Sequence, residues 1–349
     1  MIKLKNGITA GKHSRTLLSA LLGYNSPEER NASFAKLDYL ACHHLNDINI
    51  IGDVSMCIST SQDSIWMKVL HETPFAAATV PVYQCYNNGC IERARLLELM
   101  DEQAESGVSI ITIHPTASRQ LHDMAASRII PCTSRGGAMV YHAMCQSGAL
   151  ENIFMETIDE VALIARKYKV VLSLGSTYRS GSTIDSFDEV YKRELSLQFE
   201  ISDYLQRKGV STIIETPGHA DINAIESICK ILAEREEPIM PLGPIPTDIA
   251  LNYDDLAACI GAVTMGSKGC ADILTIVTKE EHSGGIPSLD SLCEAIQKYK
   301  VTAHIIDMVK VGDKDRDYKM SKKRSKTRSC TAQENNNCNR CSYSCPLRI

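Results

Sequence analysis

The sequence predicts an α/β protein, a (β/α)8 TIM barrel followed by a C-terminal cysteine-rich segment. From about residue 48, short β-rich runs alternate with amphipathic helical patterns over some 230 residues. The β-rich runs are apolar almost throughout, which is typical of strands buried on both faces of a parallel sheet. Polar residues follow the end of each run. An open, doubly wound sheet has the same local alternation and remains the alternative.

The elements follow one another in a regular order. Residues 1–47 are expected to form a short N-terminal segment of mixed helix and loop, and residues 48–312 the barrel. The eight predicted strands are 48–55, 77–84, 108–114, 128–134, 169–175, 211–218, 239–244 and 272–278. Helical patterns cover 91–107, 159–169 and 188–209, and Gly107 is typical of a helix end.

Side chains with useful chemistry follow the predicted strands. They are Asp53, Tyr83, Gln84, His114, Ser134, Arg135, Gly136, Gly137, Arg179, Glu215, His219, Asp248, Glu280, Glu281 and His282. In a barrel, the loops after the strands converge at one end, where active sites form. The sequence therefore predicts a single polar site at that end.

Two loops and two histidines suggest what this site binds. The TSRGG motif at 133–137 and Arg179 in STYRSGS offer guanidinium, hydroxyl and backbone N–H groups, which suit a phosphate or carboxylate. His219 and His282 follow the sixth and eighth predicted strands. Two imidazoles on neighbouring loops can hold a divalent metal, although hydrogen-bonded loop histidines are the alternative.

The last forty residues differ from the rest of the chain. Residues 310–349 hold eleven Lys or Arg against four Asp or Glu, whereas the whole chain has a net charge of −5. Such a basic segment is typical of a nucleic-acid contact, an anion site or a solvated linker. Aromatic residues make up only 5% of the chain, so no nucleic-acid partner is expected. Residues 313–349 are therefore predicted to be a basic linker and a cysteine tail.

Three of the fourteen cysteines are spaced C-x2-C-x3-C, at Cys338, Cys341 and Cys345. Three close thiolates suit an iron–sulfur cluster, or a structural zinc if Cys330 is the fourth ligand, and an inert tail is the third possibility. No secretory signal and no apolar run near 18 residues is present, so we expect a cytoplasmic protein without a membrane partner.

Collinear motifs resemble those of the phosphomethylpyrimidine synthase family of radical S-adenosylmethionine enzymes. The resemblance covers roughly residues 48–324 and the cysteine tail. The matching segments are GDVS, TVPVYQ, DEQAESGVSIITIH, TSRGG, LSLGSTYRSGS, ETPGH, LGPIPTDIALNYDDL, IGAVTMGSKGCADILTIVTKEEH and RDYKMSKKR.

The resemblance implies three cofactors, a [4Fe–4S] cluster, S-adenosyl-L-methionine and Zn2+. Cys338, Cys341 and Cys345 would hold the cluster, and its open iron would bind S-adenosylmethionine. His219 and His282 would hold the zinc.

The resemblance also implies a reaction. 5-Aminoimidazole ribotide would be rearranged to 4-amino-5-hydroxymethyl-2-methylpyrimidine phosphate in thiamine biosynthesis. Glu215 and His114 would be the catalytic residues that move protons. The implied substrate-binding residues are Tyr83, His114, Ser134, Arg135, Gly136, Arg179, Glu215 and Tyr253.

Implied partners are a second copy of the chain in a homodimer and a reductant such as flavodoxin or ferredoxin. The chain departs from the family pattern at the C-x3-C spacing, at Ser176 in place of an acidic substrate contact, and at Thr216 in place of a glycine. Two alternatives therefore stay open. One is a paralogue that makes 5-hydroxybenzimidazole for cobamides, and the other is a non-catalytic zinc-binding barrel.

Overall fold

Short apolar runs build the strands of the protein. The computed structural model describes residues 1–56, 64–332 and 340–348. Its strands are β1 (Ile2–Lys3), β2 (Thr9–Ala10), β3 (Leu17–Leu22), β4 (Ile50–Asp53), β5 (Ala76–Thr79), β6 (Tyr86–Asn87), β7 (Cys90–Ile91), β8 (Ile110–Ile113), β9 (Val171–Leu174), β10 (Thr212–Glu215), β11 (Ile239–Met240) and β12 (Ile273–Thr275).

Eight of these strands form one parallel sheet in the order β11-β10-β9-β8-β5-β4-β3-β12. The two end strands approach each other, because the backbone N–H of Asp272 donates to the carbonyl of Ile239 at 2.9 Å. The Asp272 carboxylate also accepts the Ile239 N–H at 2.8 Å. The sheet is thus a nearly closed barrel, which confirms the predicted (β/α)8 class over the open sheet.

The first strand of the barrel was not predicted. β3 lies within residues 1–47 and pairs in register with both β4 and β12. The barrel sheet therefore begins at Leu17 and not at residue 48. The sequence LLSALL has no period-2 alternation, because most of its side chains are buried on both faces of the sheet.

The strand predicted at 128–134 is wrong. The N–H groups of Ile129 and Ile130 donate to the Asp185 carboxylate at 3.1 and 3.0 Å. The buried Arg128 guanidinium binds both oxygens of Asp188 at 2.8 and 2.6 Å. Because side-chain carboxylates take these donors, the run is a loop that packs beside the barrel mouth.

Helices surround the sheet, and several begin at a side-chain cap. The helices are α1 (Pro27–His43), α2 (Ile65–Glu72), α3 (Val82–Cys85), α4 (Arg93–Ser106), α5 (Arg119–Ala125), α6 (Arg135–Ser147), α7 (Ile153–Glu156), α8 (Ile158–Tyr168), α9 (Glu189–Arg207), α10 (Ile222–Leu232), α11 (Asp254–Gly266), α12 (Leu289–Lys310) and α13 (Asp315–Thr327). Ser134 caps α6 by accepting the Gly137 N–H at 3.1 Å. Gly107 ends α4 in the left-handed region, at φ 117°.

The apolar core has two layers. The larger layer lies between the strands and the helices. A smaller layer fills the barrel at the N-terminal ends of the strands, where Ile2, Leu4 and Ala10 from the β1–β2 hairpin pack against residues such as Leu17 and Ile50. The hairpin therefore plugs one end of the barrel, and the opposite end remains available for a site.

Helix α13, at Asp315–Thr327, lies outside the apolar core. α13 buries none of its side chains, which agrees with a solvated basic linker, and His304 of α12 contacts Asp317 of α13 at 2.5 Å. Across residues 1–56, 64–332 and 340–348, no helix is long and apolar enough to cross a bilayer.

Candidate functional site

A cavity of about 560 Å³ lies at the C-terminal ends of the barrel strands. It draws together side chains that are far apart in the sequence. The predicted site residues that line it are Tyr83, His114, Ser134, Arg135, Arg179, Glu215, His219 and His282. This convergence explains why polar residues follow nearly every strand, and it places the candidate site at the open end of the barrel.

Other predicted residues lie outside this lining. Gly136 packs behind His114, since a Cβ atom added to it would lie 2.3 Å from the His114 Cε1. Tyr253 is 67% exposed and stands just before α11. Cys341 is exposed and Cys345 is half-buried in the segment 340–348, while Cys338 lies outside the described residues.

Asp53 is structural. Its carboxylate accepts hydrogen bonds from the N–H and hydroxyl of Ser55, at 3.0 and 2.6 Å, and from the N–H of Trp66 at 3.1 Å. Burial raises its pKa, and these donors partly offset that effect. Asp53 therefore holds the start of α2 against β4, which corrects the expectation that it belongs to the polar site.

His219 and His282 form the clearest pair in the site. Their Nε2 atoms lie 3.0 Å apart. The Nδ1 of His219 contacts Asp248 Oδ1 at 2.7 Å, and the Nδ1 of His282 contacts Asp254 Oδ1 at 2.9 Å. A carboxylate accepts a hydrogen bond from Nδ1–H, so in the neutral imidazole each Nε2 presents a lone pair to the space between the rings.

Further donors hold Asp248 in place. It accepts the hydroxyls of Ser182 and Thr183 at 3.0 and 2.9 Å, and the Thr183 N–H at 2.9 Å. The pKa of Asp248 is lowered because these bonds and His219 outweigh partial burial.

In the described part of the chain, no group of three or more His, Cys, Asp or Glu side chains forms a metal site. The histidine pair therefore offers two protein ligands.

His114 is a neutral imidazole at the floor of the cavity. Burial, together with the nearby Arg179 charge, lowers its pKa to about 3. Its Nδ1 is buried and makes no hydrogen bond within the described residues. Gly136 and Gly175 pack tightly against the two sides of the ring. The ring is thus held rigidly at the cavity lining by the two glycines.

Glu215 is a buried carboxyl at the end of β10. Burial raises its pKa, and the hydroxyls of Ser173 and Thr112, which donate at 2.8 and 3.2 Å, only partly offset this. A carboxyl with a raised pKa suits general acid–base chemistry. Thr112 and Ser173 were not predicted, although Thr112 is a polar residue within an apolar strand.

One side of the cavity suits an anion. The N-terminus of α6 reaches this region, where Ser134 and Arg135 line the cavity, and a helix N-terminus attracts negative charge. The Arg135 guanidinium lies 4.6 Å from the centre of the Tyr83 ring. The Arg179 Nη1 donates to the Ser176 carbonyl at 2.9 Å, which orients its guanidinium.

Fold and site together define a (β/α)8-barrel protein whose cavity has the acid–base and anion-binding groups of a barrel enzyme. The chain belongs to the Radical SAM ThiC family, which it matches over residues 3–348. The resemblance seen in the sequence motifs is thereby confirmed.

Two curated relatives are both phosphomethylpyrimidine synthases. That of Carboxydothermus hydrogenoformans is 34% identical over 287 residues, which cover 77% of this chain and 66% of the relative. That of Pyrobaculum aerophilum is 30% identical over 286 residues, which cover 78% and 64%. The chain therefore spans slightly less than two thirds of the length of these relatives. Among solved structures, Xanthomonas albilineans dihydropteroate synthase superposes with a TM-score of 0.47 at 8% identity, over 85% of this chain and 95% of that one.

Proposed function

We propose that the protein is a radical S-adenosylmethionine enzyme that rearranges 5-aminoimidazole ribotide to 4-amino-5-hydroxymethyl-2-methylpyrimidine phosphate. Family membership supports the class of reaction. The observation that carries the proposal is the single cavity in which an anion-binding wall, a buried acid and a neutral imidazole meet. Those are the groups that a phosphorylated, nitrogen-rich substrate requires.

The anionic wall would bind the phosphate of the ribotide. The α6 N-terminus lies beside the cavity, and Arg135 and Arg179 supply two positive charges to its lining. Arginine also offers paired donors that match a phosphate. The cavity floor beyond these residues is left for the aminoimidazole ring.

Glu215 and His114 would move protons during the rearrangement. Burial raises the pKa of Glu215 above its ordinary value, which favours the protonated carboxyl that a general acid needs. The lowered pKa of His114 keeps its imidazole neutral, so that a proton taken up at one ring nitrogen would be matched by loss of the proton from the other. Burial of both groups excludes water from the reacting atoms.

Cys341 and Cys345, with Cys338, would hold a [4Fe–4S] cluster. Thiolates are the donors that iron–sulfur clusters use, and the exposure of Cys341 leaves its sulfur outside the apolar core. When bound, such a cluster supplies the electron that cleaves S-adenosylmethionine into a radical. The barrel cavity would then shield the radical chemistry.

His219 and His282 would hold Zn2+. Two imidazole nitrogens on one tetrahedral zinc are about 3.3 Å apart, given Zn–N bonds of about 2.0–2.1 Å. The observed Nε2 separation of 3.0 Å is close to that distance. Because both lone pairs already point at the same space, the pair fits a cation, and Glu281 on the cavity wall adds negative charge nearby.

We place this activity in the cytoplasm, in a homodimer, with electrons from a flavodoxin- or ferredoxin-type reductant. Two subunits would let the cysteine tail of one chain serve the barrel of the other. Sedimentation of the anaerobic protein tests the dimer, and turnover with each reductant tests the donor.

The test of the proposed function is cofactor cleavage. Protein reconstituted with iron and sulfide, reduced and given S-adenosylmethionine, should release 5′-deoxyadenosine. Cys341→Ala should lose the cluster absorbance and the cleavage while the circular dichroism of the barrel is unchanged. Cys42→Ala, which alters an exposed cysteine on α1, is the matched control and should keep both. Cleavage that survives in Cys341→Ala contradicts the proposal.

A further inference from the structure

We propose that Glu194 of α9 is a positioning residue that locks together the loop carrying Arg179 and the loop carrying His114. The consequence for substrate binding rests on the proposed function. The locking itself rests only on contacts within the chain. Glu194 is 1% exposed and does not line the cavity, so it acts through the loops and not on a ligand.

The Glu194 carboxylate accepts hydrogen bonds from four residues. Ser176 Oγ donates to Oε2 at 2.6 Å, and the Thr177 N–H donates to Oε1 at 2.6 Å. The Tyr178 N–H lies 2.9 Å from both oxygens. Thr116 Oγ1 donates to Oε1 at 2.6 Å. A carboxylate accepts about four such bonds, so its capacity is used.

These four donors belong to two different loops. Ser176, Thr177 and Tyr178 follow β9 and immediately precede Arg179. Thr116 follows β8 and stands two residues after His114. Glu194 is therefore a single acceptor between two loops that each present a predicted substrate contact to the cavity.

The two loops also approach each other closely, which makes their relative placement sensitive. A Cβ atom on Gly175 would lie 2.7 Å from the His114 ring. A Cβ atom on Gly137, in the first turn of α6, would lie 2.7 Å from the Thr177 Cα. Thr177 is thus enclosed between Glu194 and the helix that forms the anion site. A shift of this residue would move the imidazole, Arg179 and the anion site together.

The charge of Glu194 is balanced by these donors. Within the described residues, no lysine or arginine nitrogen lies within 4.0 Å of its carboxylate. A buried carboxylate held only by N–H and O–H groups is costly if any donor is lost. The arrangement therefore resists separation of the two loops.

Ser176 has a specific part in this network. The family resemblance assigns an acidic substrate contact to its position, but here its hydroxyl points to Glu194 and the residue lies outside the cavity lining. An aspartate at 176 would place a second carboxylate beside Glu194, and two such charges repel each other. An uncharged serine that donates a hydrogen bond is therefore compatible with the buried carboxylate of Glu194.

The test compares Glu194→Gln with Glu237→Gln. Glu237 is a second buried carboxylate with hydroxyl and guanidinium donors, near the start of β11 and away from the cavity. Hydrogen exchange is followed in the peptides 114–118 and 175–182, and 5-aminoimidazole ribotide binding is followed by calorimetry. We expect faster exchange in both peptides and at least about tenfold weaker binding only in Glu194→Gln, since a bond to a charged acceptor contributes that much.

Three outcomes decide the matter. Equal exchange in the two variants overturns the positioning role. In a second outcome, exchange is faster in Glu194→Gln but the unaltered protein does not bind the ribotide. That result supports the positioning role and overturns the substrate assignment. If Glu194→Gln does not fold, Ser176→Ala removes one donor only. Ser176→Ala should then show faster hydrogen exchange in the peptide 175–182 than Ser147→Ala does. Equal exchange in these two variants overturns the proposal.

Discussion

The imidazoles of His219 and His282 face each other with their Nε2 atoms 3.0 Å apart, while a separate carboxylate holds each Nδ1. Asp254, which holds His282, is buried at 2% exposure of its side chain. Two lone pairs at this distance repel unless a proton or a cation lies between them. Both Nε2 atoms face the same space, and the pair stands at the wall of the same cavity as Glu215.

Removal of one histidine should remove the cation. We expect His282→Ala to abolish stoichiometric zinc binding, because the single remaining imidazole of His219 binds zinc weakly. Metal analysis after dialysis measures this directly. His142→Ala is the control, because that histidine contacts Tyr86 and Gln146 outside the cavity. Equal zinc in the two variants would refute the two-histidine site.

Loss of the buried acid should affect both rate and stability. Glu215→Gln should lower turnover by about 10²–10⁴-fold, as expected for a general acid or base. Burial raises the pKa of Glu215, so its stabilising contribution is present below its ordinary value of 4.5 and is lost as pH rises through the folded value. The variant should therefore gain stability relative to the unaltered protein as pH rises above 4.5. A stability difference that stays flat from pH 4 to 8 would contradict this.

The buried imidazole should make the protein sensitive to acid. Folding lowers the pKa of His114 from 6.5 to about 3. Between these pH values the unfolded chain binds a proton at His114 and the folded protein does not. The contribution of His114 is present above 6.5 and is lost as pH falls towards about 3. Urea unfolding should show that the free energy of unfolding falls less from pH 7 to pH 5 in His114→Gln than in the unaltered protein. An equal loss in His114→Gln and the unaltered protein would contradict this.

A methyl group behind the imidazole should displace it. A Cβ atom at Gly136 would lie 2.3 Å from His114 Cε1, so Gly136→Ala should cost about 1–3 kcal/mol of stability through overpacking. It should also weaken ligand binding, because the ring would be pushed into the cavity. Thermal unfolding and calorimetry measure the two effects, with Ser147→Ala at the other end of α6 as the control. An unaltered unfolding temperature in Gly136→Ala is the contrary result.

Much of the barrel could be predicted because its strands carry strong local signals. Seven of the eight predicted strands overlap a strand of the parallel sheet, and the polar residues after them converge as expected. β3 was missed because LLSALL contains no β-branched or aromatic residue, the residue types enriched in strands. The loop at 128–134 was mistaken for a strand because its partners lie far along the chain. Asp185 accepts its backbone N–H groups, and Asp188 pairs with the Arg128 guanidinium.

The details that organise the site arise from contacts that no local pattern reveals. The bond from Ser176 to Glu194 joins a loop to helix α9, and the packing of Gly136 on His114 joins the first turn of α6 to the loop after β8. Motif comparison put Ser176 in place of an acidic substrate contact, and the structure shows its hydroxyl donating to Glu194 outside the cavity lining. Such contacts depend on three-dimensional packing, which sequence periodicity does not encode.

The most direct test of the account is product analysis with labelled substrate. The anaerobic, reduced protein would receive S-adenosylmethionine and carbon-13-labelled 5-aminoimidazole ribotide, and the products would be followed by mass spectrometry. We predict 5′-deoxyadenosine together with labelled 4-amino-5-hydroxymethyl-2-methylpyrimidine phosphate, and loss of both products in Cys341→Ala. Labelled 5-hydroxybenzimidazole, or 5′-deoxyadenosine without any labelled product, would contradict the assigned reaction.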